Sequence, residues 1–432
     1  MRKKIILAGA LLLLILVSFF WLWGKPQPVL IEGSYEHPHI RLTVTPAQAA
    51  EELAIAIQPQ AQHRIVRAQG SIDITLEDWE YGQEYVLTAS LPDRHVLVLP
   101  RPFTCSFQTP PEYAFNLVAV GDVMLDQLTR GRLRVYDPNY PLVKIEEIIG
   151  SGDLNFANLE CPLSDRGEPV KKRYVFCAPA AAAAVLTQGG FNAVSLANNH
   201  VLDFGPEALL DTIALLDNNG IAHAGAGADE EQARQGALLS VNGLKVALLA
   251  YTRPAPDWEY PQWAAGPGKP GTVFYRDREK MLADVAGARF AADIVIVSMH
   301  WGNEYTYQVS AEQKELGRLL IDAGADLVLG HHPHAPQGIE LYRGKPIVYS
   351  LGNFLFYPFE MKITDETFIL KARIDRSGVQ GLALVPVLLG DSQPYVPEGS
   401  ELTRMHRVLG KLLDQFGTEY SLDGEEIVIT IP

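Results

Sequence analysis

Six positions carry side chains suited to divalent metals: Asp122, Glu160, Asn199, His300, His332 and His334. Hard and borderline cations take carboxylate, amide oxygen and imidazole together. One or two ions (Mn, Zn, Fe or Mg) fit this mixture. A pair sharing a bridging carboxylate would suit in-line attack by activated water. His332-Pro333-His334 places two imidazoles close together on a stiffened loop. His200, beside Asn199, suits a general acid or transition-state donor, provided Asp203 or a backbone carbonyl orients its other nitrogen. Lys171, Lys172 and Arg173 form a basic cluster. They could hold substrate carboxylates as point charges and a guanidinium fork, or simply form a solvated face. Asp203 has a second reading as a helix cap, Glu304 is a ligand, a base or a solvated loop charge, and Asn353 reads as a loop pin.

These residues share a position relative to the elements that must hold them. Leu117–Val120 runs into Gly121-Asp122, and Leu154–Ala157 into Asn158-Leu159-Glu160. Ala193–Ala197 leads to Asn198-Asn199-His200, Ile294–Met299 to His300, and Leu327–Leu329 to the histidine loop. Five buried-strand runs thus deliver Asp, Glu, Asn or His at their carboxyl ends, the edge where open α/β sheets place ligands. Helices are expected between them. One opens at Pro206 and closes at Gly220, and another opens on a Ser310/Gln313 capping box and ends at Gly324. Strands alternating with helices give a layered α/β domain over 114–432.

The chain outside this domain reads differently. From 30 to 108 apolar residues alternate with period two, as in Ile40, Leu42 and Val44, which predicts an Ig-like antiparallel β-sandwich. Residues 1–25 predict a transmembrane anchor. Arg2, Lys3 and Lys4 precede an apolar run from Ile5 to Trp23, about 28 Å of helix at ~1.5 Å per residue. A cleaved signal peptide is the other reading of such a run. This one is longer than the usual apolar core and no A-x-A-like site follows it, which favours an uncleaved anchor. The basic cluster orients the N-terminus inward, which predicts a single-pass cell-membrane protein with its bulk extracytoplasmic and the helix in lipid. Outside the membrane Cys161 and Cys177 could pair, or all three cysteines could be buried free thiols.

The chain has 432 residues, 36 basic and 51 acidic, for a net charge of −15. That excess argues against nucleic acid as a partner, which requires a basic footprint. It also constrains an anionic substrate, whose attraction must be local to the pocket.

The motifs GDVMLD, NFANLECPLSD, KRYVF, SLANNHVLDFG, MHWGNEY, GHHPHAPQGIE and YSLGNFLF, in this order, resemble the CapA family of poly-γ-glutamate capsule biosynthesis proteins. The family is similar in fold to calcineurin-like metallophosphoesterases, and the resemblance covers roughly 114–390. It implies a four-layer α/β/β/α metallophosphatase-like fold and a metal-centre-like pocket. It also implies a role in synthesis, export or anchoring of poly-γ-glutamate or a related envelope polymer. Against the phosphoesterase pattern, the Asp-x-His motif becomes Asp122-Val123-Met124, Gly-Asp becomes Asn-Leu-Glu160, and Gly-His-x-His makes His332 and His334 the preferred pair over His331. Three functions stay open: a divalent-metal-dependent hydrolase, a non-catalytic polymer-binding accessory of a membrane synthase, and a surface phosphoesterase.

Overall fold

The computed structural model describes strands between residues 30 and 108, and residues 113–432 except 127–137, 254–260, 357–360 and 391–392. The chain divides into two units, Met1–Glu112 and Tyr113–Pro432. The apolar run 5–23 expected to anchor the chain lies outside the described residues. Among those described, no helix is long and apolar enough to cross a membrane.

The first unit contains β1 (Leu30–Glu36), β2 (His39–Thr45), β3 (Leu53–Gln58), β4 (Gln62–Val66), β5 (Ser71–Thr75), β6 (Glu84–Ser90) and β7 (Phe103–Gln108). They form two antiparallel sheets, β1-β2-β5 and β4-β3-β6-β7.

The second unit begins with β8 (Ala114–Val123), α1 (Glu146–Ile149), β9 (Leu154–Leu159), α2 (Ala183–Gln188) and β10 (Ala193–Ser195). There follow α3 (Gly205–Asn218), β11 (Ala222–Ala224), β12 (Ala226–Gly227), α4 (Glu230–Gln235), β13 (Ala237–Val241) and β14 (Leu244–Thr252). Next are β15 (Gly271–Thr272), α5 (Arg278–Ala291), β16 (Ile294–His300), α6 (Ala311–Ala323) and β17 (Leu327–His331). The chain then runs through β18 (Ile339–Tyr342), β19 (Lys345–Val348), β20 (Asn353–Leu355), β21 (Glu366–Asp375) and β22 (Gly378–Gly390). It ends with β23 (Gln393–Tyr395), α7 (Gly399–Asp414), β24 (Tyr420–Asp423) and β25 (Glu426–Ile429).

Two large sheets result. One is ten-stranded, ordered β11-β10-β9-β8-β21-β22-β25-β24, with β20 beside β8 and β23 beside β22. The other is six-stranded, ordered β13-β14-β16-β17-β19-β18. The strands that end in site residues are parallel to their neighbours, β8-β9-β10 in one sheet and β14-β16-β17 in the other. Parallel neighbours align their carboxyl ends, so the polar residues that follow share one edge.

Alternation along each strand sorts the side chains into layers. Phe115, Leu117 and Ala119 of β8 share one buried cluster with Leu248, Ile296 and Leu329 of the smaller sheet, so the sheets pack face to face. Val118 and Val120 face the other way, onto Ile149, Leu186, Leu209 and Leu216 of α1–α3. Val295, Val297 and Val328 of the smaller sheet pack on Met281, Val285, Leu316 and Leu320 of α5 and α6. The second unit is therefore a mixed α/β fold of several sheets that fits a metallophosphatase-like domain, with layers in the order helix, sheet, sheet, helix. Helix α6 carries its capping box: Ser310 Oγ accepts from Gln313 N, and Gln313 Oε1 accepts from Ser310 N. Cys161 and Cys177 are buried free thiols, and desolvation pushes Cys161 up to about 12.

Candidate metal centre

Close backbone approach sets the floor of the site. A Cβ on Gly121 would stand 1.9 Å from the Gly352 carbonyl, and one on Gly330 2.0 Å from the Tyr349 carbonyl. Only glycine lets the segment Ser350–Asn353 lie against the ends of both β8 and β17. Asp122 and Asn353 consequently become register partners in the β8–β20 pair.

On that floor Asp122, Glu160, His300, His332 and His334 converge. The donor atoms of Glu160, His300 and His332 lie within 4.8 Å of one another. The same holds for Asp122, Glu160 and His334, and for Glu304, His332 and His334. Asp122 and Glu160 are fully buried, and His300 is 1% exposed. Asn199 Oδ1 lies 2.9 Å from His300 Nε2. Glu304 is itself exposed, so it reaches the group from the solvent side.

Three residues that sequence reasoning passed over belong to the site. Asn158 is its hub: its Nδ2 donates to Asp122 Oδ1 at 2.9 Å and stands 3.4 Å from His300 Nδ1. Asn198 Nδ2 in turn donates to Asn158 Oδ1 and, at 2.8 Å, to the Leu159 carbonyl. His331 Nδ1 is 3.3 Å from Asp122 Oδ1, although His332 and His334 are the ones grouped as donors. Strand position could have flagged Asn158, which precedes Glu160 by two and therefore lies on the same face of the chain. Asn353, read as a loop pin, is a partner of His334: its Oδ1 is 2.9 Å from His334 Nδ1.

Several buried polar atoms here have no hydrogen bond among the described residues: Glu160 Oε1, both ring nitrogens of His331, and His332 Nδ1. Orphaned buried polar atoms are costly unless something absent from the protein satisfies them. A cation does so for carboxylate oxygen and imidazole lone pairs alike, so the residues fit a divalent ion. The backbone around the site is also strained: His332 and His334 after β17, and Tyr305 after β16, hold φ of 94°, 52° and 59°, values non-glycine residues rarely adopt.

Electrostatics follow from burial. Desolvation pushes Glu160 well above the usual carboxylate range, and the charges of Asp122 and Glu304 push the same way. Desolvation also works to raise Asp122, but His331, His334 and the Asn158 amide outweigh it, and the carboxyl stays below its ordinary value. Burial drives His300 well below the ordinary imidazole value, helped by the neighbouring histidines, and lowers His332 to about 3. The imidazoles are thus neutral, the form that ligates metal.

His200 sits behind Asn199 in a second network. Its Nδ1 lies 2.7 Å from Asp203 Oδ2, and a carboxylate only accepts, so Nδ1 carries the proton. Burial lowers the ring to about 4, leaving it neutral with Nε2 as an acceptor. His200 is therefore set up in this state to receive a proton rather than to give one. Asp203 does not cap α3, whose N-cap is Phe204; it accepts from Lys172 Nζ at 2.8 Å and from Phe176 N at 2.9 Å.

Lys172, expected among the substrate contacts, is turned inward. Its ammonium donates to the Asn199 carbonyl at 2.5 Å and to Asp203, stands 3.1 Å from His200 Nδ1, and lies over the Trp263 ring. That charge is committed to protein groups. Lys171 and Arg173 are exposed, with the Arg173 guanidinium over the Tyr174 ring.

Residues 116–358 match the family described as Bacterial capsule synthesis protein PGA_cap. The chain is 28% identical over 305 residues to the capsule biosynthesis protein CapA of Bacillus anthracis, covering 68% of this chain and 73% of that protein. It is 29% identical over 278 residues to the PGA biosynthesis protein CapA of Bacillus subtilis, covering 64% and 72%. A probable polyglutamine synthesis accessory protein of Mycobacterium tuberculosis is 41% identical over 165 residues, covering 37% and 43%. The family match takes in every strand end that supplies the centre, and on that basis the chain belongs to the bacterial capsule synthesis protein PGA_cap family.

Proposed function

We propose that this chain serves the synthesis, export or anchoring of poly-γ-glutamate or a related anionic envelope polymer, through a divalent-metal centre at Asp122, Glu160, Asn199, His300, His332 and His334. The convergence of these side chains, with orphaned buried atoms among them, carries the reading. Kinship with the CapA relatives supports the polymer. The apolar run at residues 5–23 supports a membrane anchor in lipid with the bulk of the chain outside, where membrane synthase subunits would be partners. The A-B-E and C′-C-F-G style of strand pairing in β1–β7 supports an Ig-like module between anchor and centre.

A divalent ion would supply Lewis-acid polarisation of an amide or phosphoryl oxygen and an activated water. The protein's own part is positional. Asp122 is aligned by Asn158, His334 by Asn353, and His200 is held by Asp203 so that Nε2 accepts a proton. Full-length protein analysed for bound metal and then incubated with poly-γ-glutamate and a nitrophenyl phosphodiester tests this reading. Bound metal with polymer shortening is the expected result. Metal-free protein that gains no thermal stability from Mn²⁺ or Zn²⁺ would remove the metal centre.

One observation favours a non-catalytic accessory role instead. Met124, fully buried in the apolar core, stands where the phosphoesterase pattern has a ligand histidine, so one metal position lacks an imidazole. Polymer retention without shortening would select this second reading.

A further inference from the structure

Arg253 follows β14 directly, and β14 lies beside β16 with Thr252 opposite His300. Its backbone N donates to the His300 carbonyl at 2.8 Å. Its guanidinium Nη1 donates to the Gly302 carbonyl at 2.9 Å, with Asn303 Oδ1 at 3.5 Å. The side chain is exposed. Arg234, Arg289, Arg318 and Arg404 are each tied to a carboxylate. Arg253 makes no such pair among the described residues, and its bonds go to uncharged oxygens. Among the described residues only these uncharged oxygens meet the guanidinium, which leaves most of its planar donor fork available. The backbone bond to His300 places it beside the metal-binding cluster, and its positive charge is one of those that lower His332.

We infer that Arg253 recognises an anionic side group of the substrate next to the bond held at the centre, and that this group is a carboxylate. The inference rests on the reading of the pocket as a metal centre for an anionic polymer, and it names the feature of the polymer that is read. Lys172 is unavailable for that task because Asp203 holds it. A carboxylate matches the guanidinium fork with two parallel hydrogen bonds, and a polymer of γ-linked glutamate presents one on every residue. In an acidic chain this is how local attraction is supplied without a basic surface.

The test is titration calorimetry on the full chain, loaded with Mn²⁺, using a γ-glutamyl oligomer and, separately, inorganic phosphate. Wild type, Arg253→Lys and Arg253→Gln are compared, with bound metal measured in each. Arg253→Gln should weaken oligomer binding by about ten- to a hundredfold while metal content stays at the wild-type level. Arg253→Lys should recover only part, because an ammonium replaces the charge but not the fork. Oligomer binding equal in wild type and Arg253→Gln overturns the inference and leaves the metal centre standing. Loss confined to phosphate overturns the carboxylate assignment. A wild type that binds metal but no oligomer overturns this inference together with the polymer reading.

Discussion

The side-chain oxygen of Asn353 stands 2.9 Å from Nδ1 of His334, and Asn353 Nδ2 donates to the Thr364 carbonyl at 3.2 Å. With its nitrogen so engaged, the amide presents oxygen to the ring. His334 must then carry its proton on Nδ1, and Nε2, 4.0 Å from Glu160 Oε1, is left as the ligating atom.

Removing that partner should weaken the centre without touching a ligand. Asn353→Ala is expected to lower metal affinity by about 10- to 100-fold, the range for lost outer partners of ligating histidines. Competition of the full chain against a metal-sensitive dye measures it. Unchanged affinity would mean that His334 is oriented by its loop alone.

Lys172 and Asp203 form a buried ion pair, with side chains 10% and 0% exposed. Removing one member strands a charge, so Asp203→Leu should cost about 3–5 kcal/mol of stability. The double variant Lys172→Met/Asp203→Leu should regain a large part of that loss. Denaturant midpoints of the single and double variants decide it, and additive losses would show that the two residues are not coupled.

Buried neutral imidazoles make stability depend on pH. His200 and His332 stay unprotonated down to about 4 and about 3, and His300 is also held well below the ordinary value. In the unfolded chain they take up protons from about pH 6.5. Their contribution is full above that value and is lost as pH falls toward the folded values, at up to ~1.4 kcal/mol per pH unit for each ring. Glu160, raised well above its ordinary value, acts oppositely as pH rises above about 4.5, but it is one group against three. In chelator, the urea midpoint should be lower at pH 5 than at pH 7.5. An equal or higher midpoint at pH 5 contradicts the burial of these rings.

An ion that binds only the folded chain stabilises it by about 2.7 kcal/mol at a hundredfold excess over its dissociation constant. The thermal midpoint should therefore rise with added Mn²⁺ or Zn²⁺. In His332→Ala, which removes a donor from two of the three groups, most of the rise should vanish. A full rise in that variant would place the ion elsewhere.

Much of this site was legible because strand ends are local features. The apolar runs before Asp122, Glu160, Asn199, His300 and His332 marked the edge, and the parallel strands carry four of these five to one place; Asn199 joins through His300. The runs themselves were close to the observed strands, though β10 stops at Ser195, two residues before the expected end, where Ala197 N donates to Ser195 Oγ and Asn198 N to the Leu196 carbonyl. Hydrogen-bond partners were not legible. Nothing near Asn353 in sequence announces His334, and nothing near Lys172 announces Asp203, which is 31 residues away. A basic triplet looks the same in sequence whether it faces solvent or a buried carboxylate. Arg253 carried no motif at all and is placed by the register of β14 against β16.

The donors are divided between the two sheets, Asp122 and Glu160 on the larger and His300 and His332 on the smaller, with Asp122 and His332 separated by 210 positions. Such a site cannot exist until both halves of the sandwich are built and docked, since loop closure over that span is repaid only by the packed sheets. An ion seated there acts as a rivet through the sandwich, fastened after assembly. It should leave the refolding rate nearly unchanged and slow the unfolding rate, so that occupancy sets how long the assembled sandwich lasts.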